Sequence, residues 1–217
     1  MQLLQAVEQH ELNALHQQWG NAPHEHHHLI VDHPFLTGEH EQLTSGTRRA
    51  EICYIMHRGD PADGVLLHLK SIYPENGYRL PTGGIHEGEG VYDTLLREVY
   101  EETGQVVGDE PHHAQIQHYL GAISYDMHHG STDTMHTYAT YCFLVQISAD
   151  AKIEVQDPDE LICGWEWCQL AQLSVVAETL RTMGTTSPDW GDWGIYRAIV
   201  HEFVARTIQV TPVHDAE

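Results

Sequence analysis

The sequence predicts an α/β fold with a mixed β-sheet. Two short segments rich in aliphatic residues, 50–56 and 64–69, are separated by turn residues and precede a helical pattern at 91–103. Two further strand-like segments, 118–125 and 137–145, follow that helix. Strands on both sides of a helix are typical of α/β architectures. With 217 residues, the chain can form one well-buried domain with extensions, or at most two small domains.

The first 45 residues are predicted to be an extension of the main domain. Residues 2–18 have partly helical spacing and end at a stop signal, Gly20 to Pro23. Residues 24–45 are rich in His, Thr and Gly with little periodicity, which predicts a loop. The predicted division is an N-terminal helix and His-rich extension at 1–45, a main domain at 46–175, and a C-terminal helical segment packed on the core at 176–217.

Turn residues set the boundaries of the later elements. Arg58 to Gly64 has turn chemistry, and Gly104 is placed to end the helix in the left-handed conformation. A polar loop at 128–134 separates the two later strands, and an acidic loop at 151–160 follows them. Two more helices are predicted, near 169–183 and 192–206.

The charge is strongly acidic, with ten Lys and Arg against 32 Asp and Glu and a net charge of −22. Such a chain should repel long nucleic acids, whose non-specific binding depends on basic contacts. Most of the basic residues nevertheless lie between positions 48 and 97, which favours a small phosphorylated ligand as partner. These residues are Arg48, Arg49, Arg58, Lys70, Arg79 and Arg97. The sequence shows no transmembrane segment and no signal peptide, so no membrane partner and a cytoplasmic location are expected.

Histidines are concentrated near the N-terminus, in the run from His24 to His28. Imidazole is a good ligand for Zn²⁺, Ni²⁺ and Cu²⁺, so one interpretation is a transition-metal site. The members of that site would be His24, His26, His27 and His28. The other interpretation is a solvated polar loop.

Three carboxylates are grouped on the predicted helix directly after a glycine-rich turn. Glu98, Glu101 and Glu102 have i, i+3, i+4 spacing and fall within about one third of the helix circumference. Like charges at this spacing repel each other, whereas a hard divalent cation would be coordinated by their oxygens. The apolar arc of the same helix borders the carboxylates, so they should be partly buried, where uncompensated charge is costly. The pattern therefore predicts a metal site.

The spacing around this helix resembles the Nudix box, Gly-x5-Glu-x7-Arg-Glu-U-x-Glu-Glu-x-Gly-U, where U is a bulky aliphatic residue. Every fixed residue is present from Gly83 through Glu89 and Arg97 to Gly104. The last position departs from the pattern, because Gln105 stands where the family has an aliphatic residue. The resemblance implies a Nudix-type α/β/α sandwich and Mg²⁺- or Mn²⁺-dependent hydrolysis of a nucleoside diphosphate linked to another moiety.

The resemblance also implies roles for the residues of the motif. Glu98, Glu101 and Glu102 would be metal ligands, completed by the carbonyl of Gly83 or its neighbour Thr82. Arg97 and Glu89 would orient the ligands, and Gly104 would end the helix. Many family members have their general base in a later loop. Candidates here are Glu160, which is preferred, and its competitors Glu154 and Asp159; Glu98 could also position or deprotonate the water.

Substrate contacts are assigned from residue type and position. Arg58, Lys70 and Arg79 could bind phosphates, and Tyr125, Tyr138 or Trp165 could stack on a base. Two alternatives remain at this stage: a regulatory Nudix domain that binds a nucleotide or metabolite without cleaving it, and an isomerase on the same fold. The isomerase is disfavoured because the motif has no cysteine–glutamate pair. A homodimer is a further hypothesis.

Overall fold

A computed structural model describes residues 9–32 and 48–210. Its α-helices in these ranges are α1 (Gln9–Trp19), α2 (Val91–Thr103), α3 (Leu173–Arg181) and α4 (Gly191–Val210). Its strands are β1 (His24–Val31), β2 (Ala50–Arg58), β3 (Val65–Lys70), β4 (Thr82–Ile85), β5 (Gln115–His129), β6 (Thr134–Ile147) and β7 (Ile162–Cys168).

The strands form one mixed sheet in the order β1-β5-β6-β2-β3-β7, with β4 also paired to β2. β1 is parallel to β5 and β6 is parallel to β2, while the other pairs are antiparallel. β6 pairs along one side of β2, so β4 and β3 share its other side. β4 pairs with the first half of β2, from Ala50 to Cys53. β3 pairs with β2 near the end of that strand, where His57 is opposite Val65.

Helices cover both faces of the sheet, and an apolar core lies on each side. On one face, α1 contributes Leu12 and Leu15, and α2 contributes Val91, Leu95 and Val99. On the other face, α3 and α4 pack through residues such as Trp193 and Phe203. The predicted α/β/α sandwich with a mixed sheet is confirmed.

The helix α2 has the predicted bounds because its apolar residues recur at helical spacing and face the sheet. Gly104 follows it with φ of 73°, and its N–H donates to the carbonyl of Tyr100. This is the left-handed helix end that glycine adopts without steric cost.

The prediction of a loop from residue 24 is wrong for residues 24–31. His24–Val31 forms β1, which pairs with β5 along its whole length. From His24 to Ile30, exposed residues alternate with half-buried ones, as expected for a polar edge strand with one face partly shielded, and Val31 is buried. Only the C-terminal end of this strand enters the core, through Val31 with Leu29 packed beside it, so the His-rich part shows no hydrophobic period in the sequence. The rest of the predicted loop, 33–45, lies outside the described residues.

Among the helices of the described ranges, none has the length and apolar character needed to cross a membrane.

Candidate active site

Gly83 on β4 allows the side chain of Glu98 on α2 to cross directly over its backbone. A Cβ atom added to Gly83 would lie 1.9 Å from Cδ of Glu98 and 2.4 Å from its Oε1. Any side chain at this position would therefore displace the carboxylate. Glu98 itself is buried, so the glycine determines where a buried charge lies.

Arg97 joins the loop before α2 to the carboxylates on the helix. Its Nη1 donates to Glu98 Oε1 at 2.7 Å and to Glu101 Oε2 at 2.9 Å. Its Nε and Nη2 bind the two oxygens of Glu89 at 2.8 and 3.0 Å, a bidentate pair, and Nη2 also reaches the carbonyl of Gly84. The hydrogen bonds from Arg97 lower the pKa of Glu89 to about 2, so Glu89 stays ionised and holds the guanidinium in place.

Glu102 is fully buried below the other carboxylates. Its Oε2 accepts a short hydrogen bond from the hydroxyl of Tyr54 on β2. Its Oε1 accepts no hydrogen bond from the described residues, although Lys70 Nζ lies 3.4 Å away. His68 lies beside it, and burial holds the pKa of that imidazole well below its ordinary value, so His68 is neutral. A buried carboxylate oxygen without a hydrogen bond is costly unless another partner is supplied.

Glu160 reaches the site because the acidic loop is attached to the end of α2. The last carbonyls of a helix have no partner within the helix. Here the N–H groups of Gln156 and Asp157 donate to the carbonyl of Glu101, and that of Glu154 donates to the carbonyl of Thr103. The chain then turns through a short 3₁₀ segment, Pro158–Glu160.

Lys70 sits between two of the glutamates. Its ammonium donates to Glu160 Oε2 at 2.7 Å, in addition to its contact with Glu102. Although burial alone would raise the pKa of Glu160, its contacts with Lys70 hold that pKa below the usual value. Glu160 is therefore ionised at neutral pH.

Carboxylate oxygens of Glu98, Glu101 and Glu160 all lie within 4.8 Å of one another. Burial and the neighbouring charges of Glu102 and Glu160 raise the pKa of Glu98, against the opposing effect of Arg97. Burial likewise raises the pKa of Glu102. The cations Arg97 and Lys70 do not fully compensate the cluster. All-oxygen donors at this spacing are the ligand type that Mg²⁺ or Mn²⁺ prefers, so the residues fit a hard divalent cation.

Comparison with known proteins assigns the family. A sequence model described as the NUDIX domain matches residues 46–188, which is more than half of the chain. This chain belongs to the Nudix family. Membership places it among the pyrophosphohydrolases and leaves its substrate open. A search of curated protein sequences finds no match.

Solved structures with a similar fold are distant in sequence. A C. elegans Ap4A hydrolase complex has 13% identity and a TM-score of 0.48, covering 75% of this chain and 98% of that one. The E. coli dihydroneopterin triphosphate pyrophosphohydrolase has 16% identity and a TM-score of 0.41, covering 61% of this chain and 86% of that one. The family assignment rests on the sequence match.

The two arginines predicted to bind substrate phosphates, Arg58 and Arg79, do not line an exposed surface beside the carboxylate cluster. Arg79 is 2% exposed, and it donates to the hydroxyl of Tyr73, the carbonyl of Leu80 and Thr82 Oγ1. It supports the strand that carries Gly83 and does not face solvent.

Arg58 lies five residues beyond the part of β2 that pairs with β4, roughly 17 Å along the strand. There it stacks on Trp167 and donates to the carbonyl of Ala151. Residue type alone could not distinguish these structural contacts from phosphate binding.

The tyrosines proposed to stack on a base are core residues. Tyr125 and Tyr138 are each 1% exposed and belong to the core on the face of the sheet that α3 and α4 cover, opposite α2. Trp165 is half-buried on the same side as α2, with its ring 5.9 Å from that of His68.

Sequence reasoning missed Tyr54 and gave Arg48 no role. Tyr54 is in a run of apolar residues on a central strand, and only the pairing of β2 with its neighbours brings it under α2.

Arg48 lies over Gly84, since a Cβ atom added to Gly84 would come within 2.4 Å of the Arg48 Nε. It is partly exposed beside the carboxylate cluster, which suits contact with an anionic ligand.

Replacing Tyr54 with phenylalanine is expected to lower kcat roughly 10- to 100-fold, because the partner of Glu102 would be lost and the carboxylate would no longer be oriented. Steady-state kinetics and the affinity for Mg²⁺ provide the measurement. The matched control is Tyr119→Phe, which removes a buried hydroxyl that makes no hydrogen bond in the described part of the chain. Equal losses in the two variants would contradict the positioning role.

Proposed function

We propose that this Nudix protein hydrolyses a pyrophosphate bond in a nucleoside-diphosphate-linked small molecule, with Mg²⁺ or Mn²⁺ as cofactor. The observation that supports this most directly is the convergence of Glu98, Glu101 and Glu160 from a helix and a separate loop. Their like charges are partly buried and only partly compensated by Arg97 and Lys70, an arrangement that a bound cation would stabilise. Glu98 and Glu101 would hold the cation together with the Gly83 carbonyl and Glu102, whose Oε1 accepts no hydrogen bond in the described part of the chain.

A divalent cation held there would neutralise phosphate oxygens and lower the pKa of a bound water. The protein's residues supply the rest. Arg97 holds Glu98 and Glu101 in a fixed orientation, and the Arg97–Glu89 pair ties the glycine loop to the helix. This rigidity matters because a displacement of about 1 Å in a reacting group can cost about 10²-fold in rate.

Glu160 is assigned as the general base that accepts the proton of the attacking water. Its competitors Glu154 and Asp159 are exposed on the same loop and are not members of the carboxylate cluster. Lys70 keeps Glu160 ionised and directs it toward Glu98 and Glu101. After attack at phosphorus, the bridging oxygen leaves with one phosphate product. Arg48, at the rim, is placed to contact a substrate phosphate.

The experiment that tests the function is a substrate panel. Metal-stripped protein is assayed with and without Mg²⁺ or Mn²⁺ against ADP-ribose, dinucleoside polyphosphates, nucleotide sugars, NADH and nucleoside triphosphates. Products are separated by chromatography, and reaction in ¹⁸O water identifies the phosphorus that is attacked. Cation-dependent cleavage of at least one compound is expected. Absence of turnover across the panel with either cation would refute the proposal.

Replacing Glu160 with glutamine is expected to lower kcat about 10²- to 10⁴-fold, the usual contribution of a general base, with a small change in KM. Asp159→Asn is the matched control, because Asp159 is adjacent and exposed. A kcat that is unchanged in Glu160→Gln, or that falls as far in Asp159→Asn, would remove this assignment.

A further inference from the structure

The His-rich strand β1 presents two different rows of side chains. His24, His26 and His28 alternate with Glu25 and His27, so the two groups lie on opposite faces of the sheet. The parallel register with β5 places His26 beside Ser124 and His28 beside Asp126. The structure thus separates the histidines that the sequence had grouped together.

Three side chains of this edge converge on a small volume. His26 Nε2 lies 3.2 Å from Asp126 Oδ2, and His28 Nδ1 lies 3.4 Å from the same oxygen. One ligand atom from each of the three residues lies within 4.8 Å of the others. Two metal–ligand bonds of about 2.0–2.1 Å at a tetrahedral angle separate their ligand atoms by about 3.3 Å. Both observed distances are close to that value, and the His26–Asp126 contact is also a hydrogen bond.

Ser124 orients the first of these ligands. Its hydroxyl lies 2.8 Å from His26 Nδ1, which leaves Nε2 directed toward Asp126. A hydrogen bond to the nitrogen that does not bind metal is the usual way in which a metal-ligating histidine is held. His24 also contacts Ser124 Oγ, through its Nε2 at 2.9 Å, and is therefore placed beside the serine rather than among the ligands. His27, on the other face, pairs with Glu25.

We propose that His26, His28 and Asp126 form a binding site for a transition-metal ion of the Zn²⁺ class. Two imidazoles and one carboxylate suit Zn²⁺ and leave a fourth position open to solvent. The site is distinct from the carboxylate cluster, since β6 and β2 lie between β5 and β4 in the sheet. Its bound ion would link the edge strand β1 to β5 and stabilise the folded chain.

The test uses the full-length chain without a polyhistidine tag, stripped of metal and then saturated with Mg²⁺ to occupy the carboxylate cluster. Zn²⁺ is titrated by calorimetry, and the bound metal is counted by mass spectrometry. One Zn²⁺ per chain and a rise in Tm on binding are expected. His26→Ala, His28→Ala and Asp126→Asn should each weaken Zn²⁺ binding at least tenfold.

His27→Ala is the matched control, since it removes a neighbouring imidazole from the opposite face of the same strand. It should leave Zn²⁺ affinity unchanged. Each variant is checked by circular dichroism and by its melting temperature without Zn²⁺, so that a folding defect is recognised. Absence of stoichiometric binding in the wild-type chain would overturn the proposal. An equal loss of affinity in His27→Ala and His28→Ala would overturn it as well.

Discussion

Glu98→Gln should reduce hydrolysis about 10³-fold and, without metal at pH 8.5, raise the melting temperature. The loss of activity follows from removing one charged oxygen donor, since several kcal/mol of transition-state stabilisation depend on the bound cation and each 1.4 kcal/mol is about tenfold. The gain in stability follows from the pKa of Glu98, which burial and neighbouring carboxylates raise above the ordinary glutamate value. Glutamine fills the same space without a charge.

The sign of this stability effect depends on pH. Between the ordinary glutamate pKa of about 4.5 and the pKa of about 8 that Glu98 has in the folded protein, the folded protein retains a proton on Glu98 that the unfolded chain has lost. The free energy of unfolding of the metal-free wild type therefore falls as pH rises through this range. Glu98→Gln should differ little from wild type near pH 5 and be more stable at pH 8.5.

Thermal denaturation with a chelator, at both pH values, gives the measurement. Asp93→Asn is the control, because Asp93 is an exposed carboxylate on the same helix. Full activity in Glu98→Gln would contradict the catalytic assignment. A lower melting temperature for Glu98→Gln at pH 8.5 would contradict the account of buried charge.

Gly83→Ala should reduce activity by about 10²-fold or more, through Glu98 rather than through loss of the fold. The new methyl group would occupy the space of the Glu98 carboxylate, which must then move by more than 1 Å. Misplacement by that distance is enough to produce such a loss. Strand β4 can keep its pairing with β2, because an added Cβ leaves the backbone N–H and C=O groups that join the two strands unchanged.

Activity, Mg²⁺ affinity and melting temperature are measured together for this variant. Gly90→Ala is the matched control in the loop that follows β4, where a Cβ would meet only Asp93 Oδ2 at 3.3 Å. A fully active Gly83→Ala protein would show that the position of Glu98 is not set by this glycine. Activity restored in a Gly83→Ala and Glu98→Asp double variant would support the steric explanation.

The helix and the motif could be predicted because their information is local. A period of 3.6 residues in the apolar positions defines α2, and Gly104 marks its end. The same period places Glu98, Glu101 and Glu102 near one another, and the spacing from Gly83 identifies the family. Arg97 also pairs with Glu101, since residues four apart on a helix are neighbours.

Arg79 and β1 show where local patterns failed. Arg79 is basic and close to the motif, but it is buried and donates to the Tyr73 hydroxyl, and sequence distance contains no such information. The His-rich segment lacks an apolar period, yet it forms a strand because β5 offers a free edge. Backbone pairing to a neighbour can override weak local preference.

The sequence by itself determined the family, the helix that carries three carboxylates, and the glycine turn that precedes them, because these depend on spacing along one stretch of chain. Only the tertiary structure decided that Glu160 joins Glu98 and Glu101, that Tyr54 supports Glu102, and that His26 and His28 meet Asp126. Those contacts join residues distant in sequence through helix-end capping and strand register. Such long-range pairing depends on how the whole chain packs.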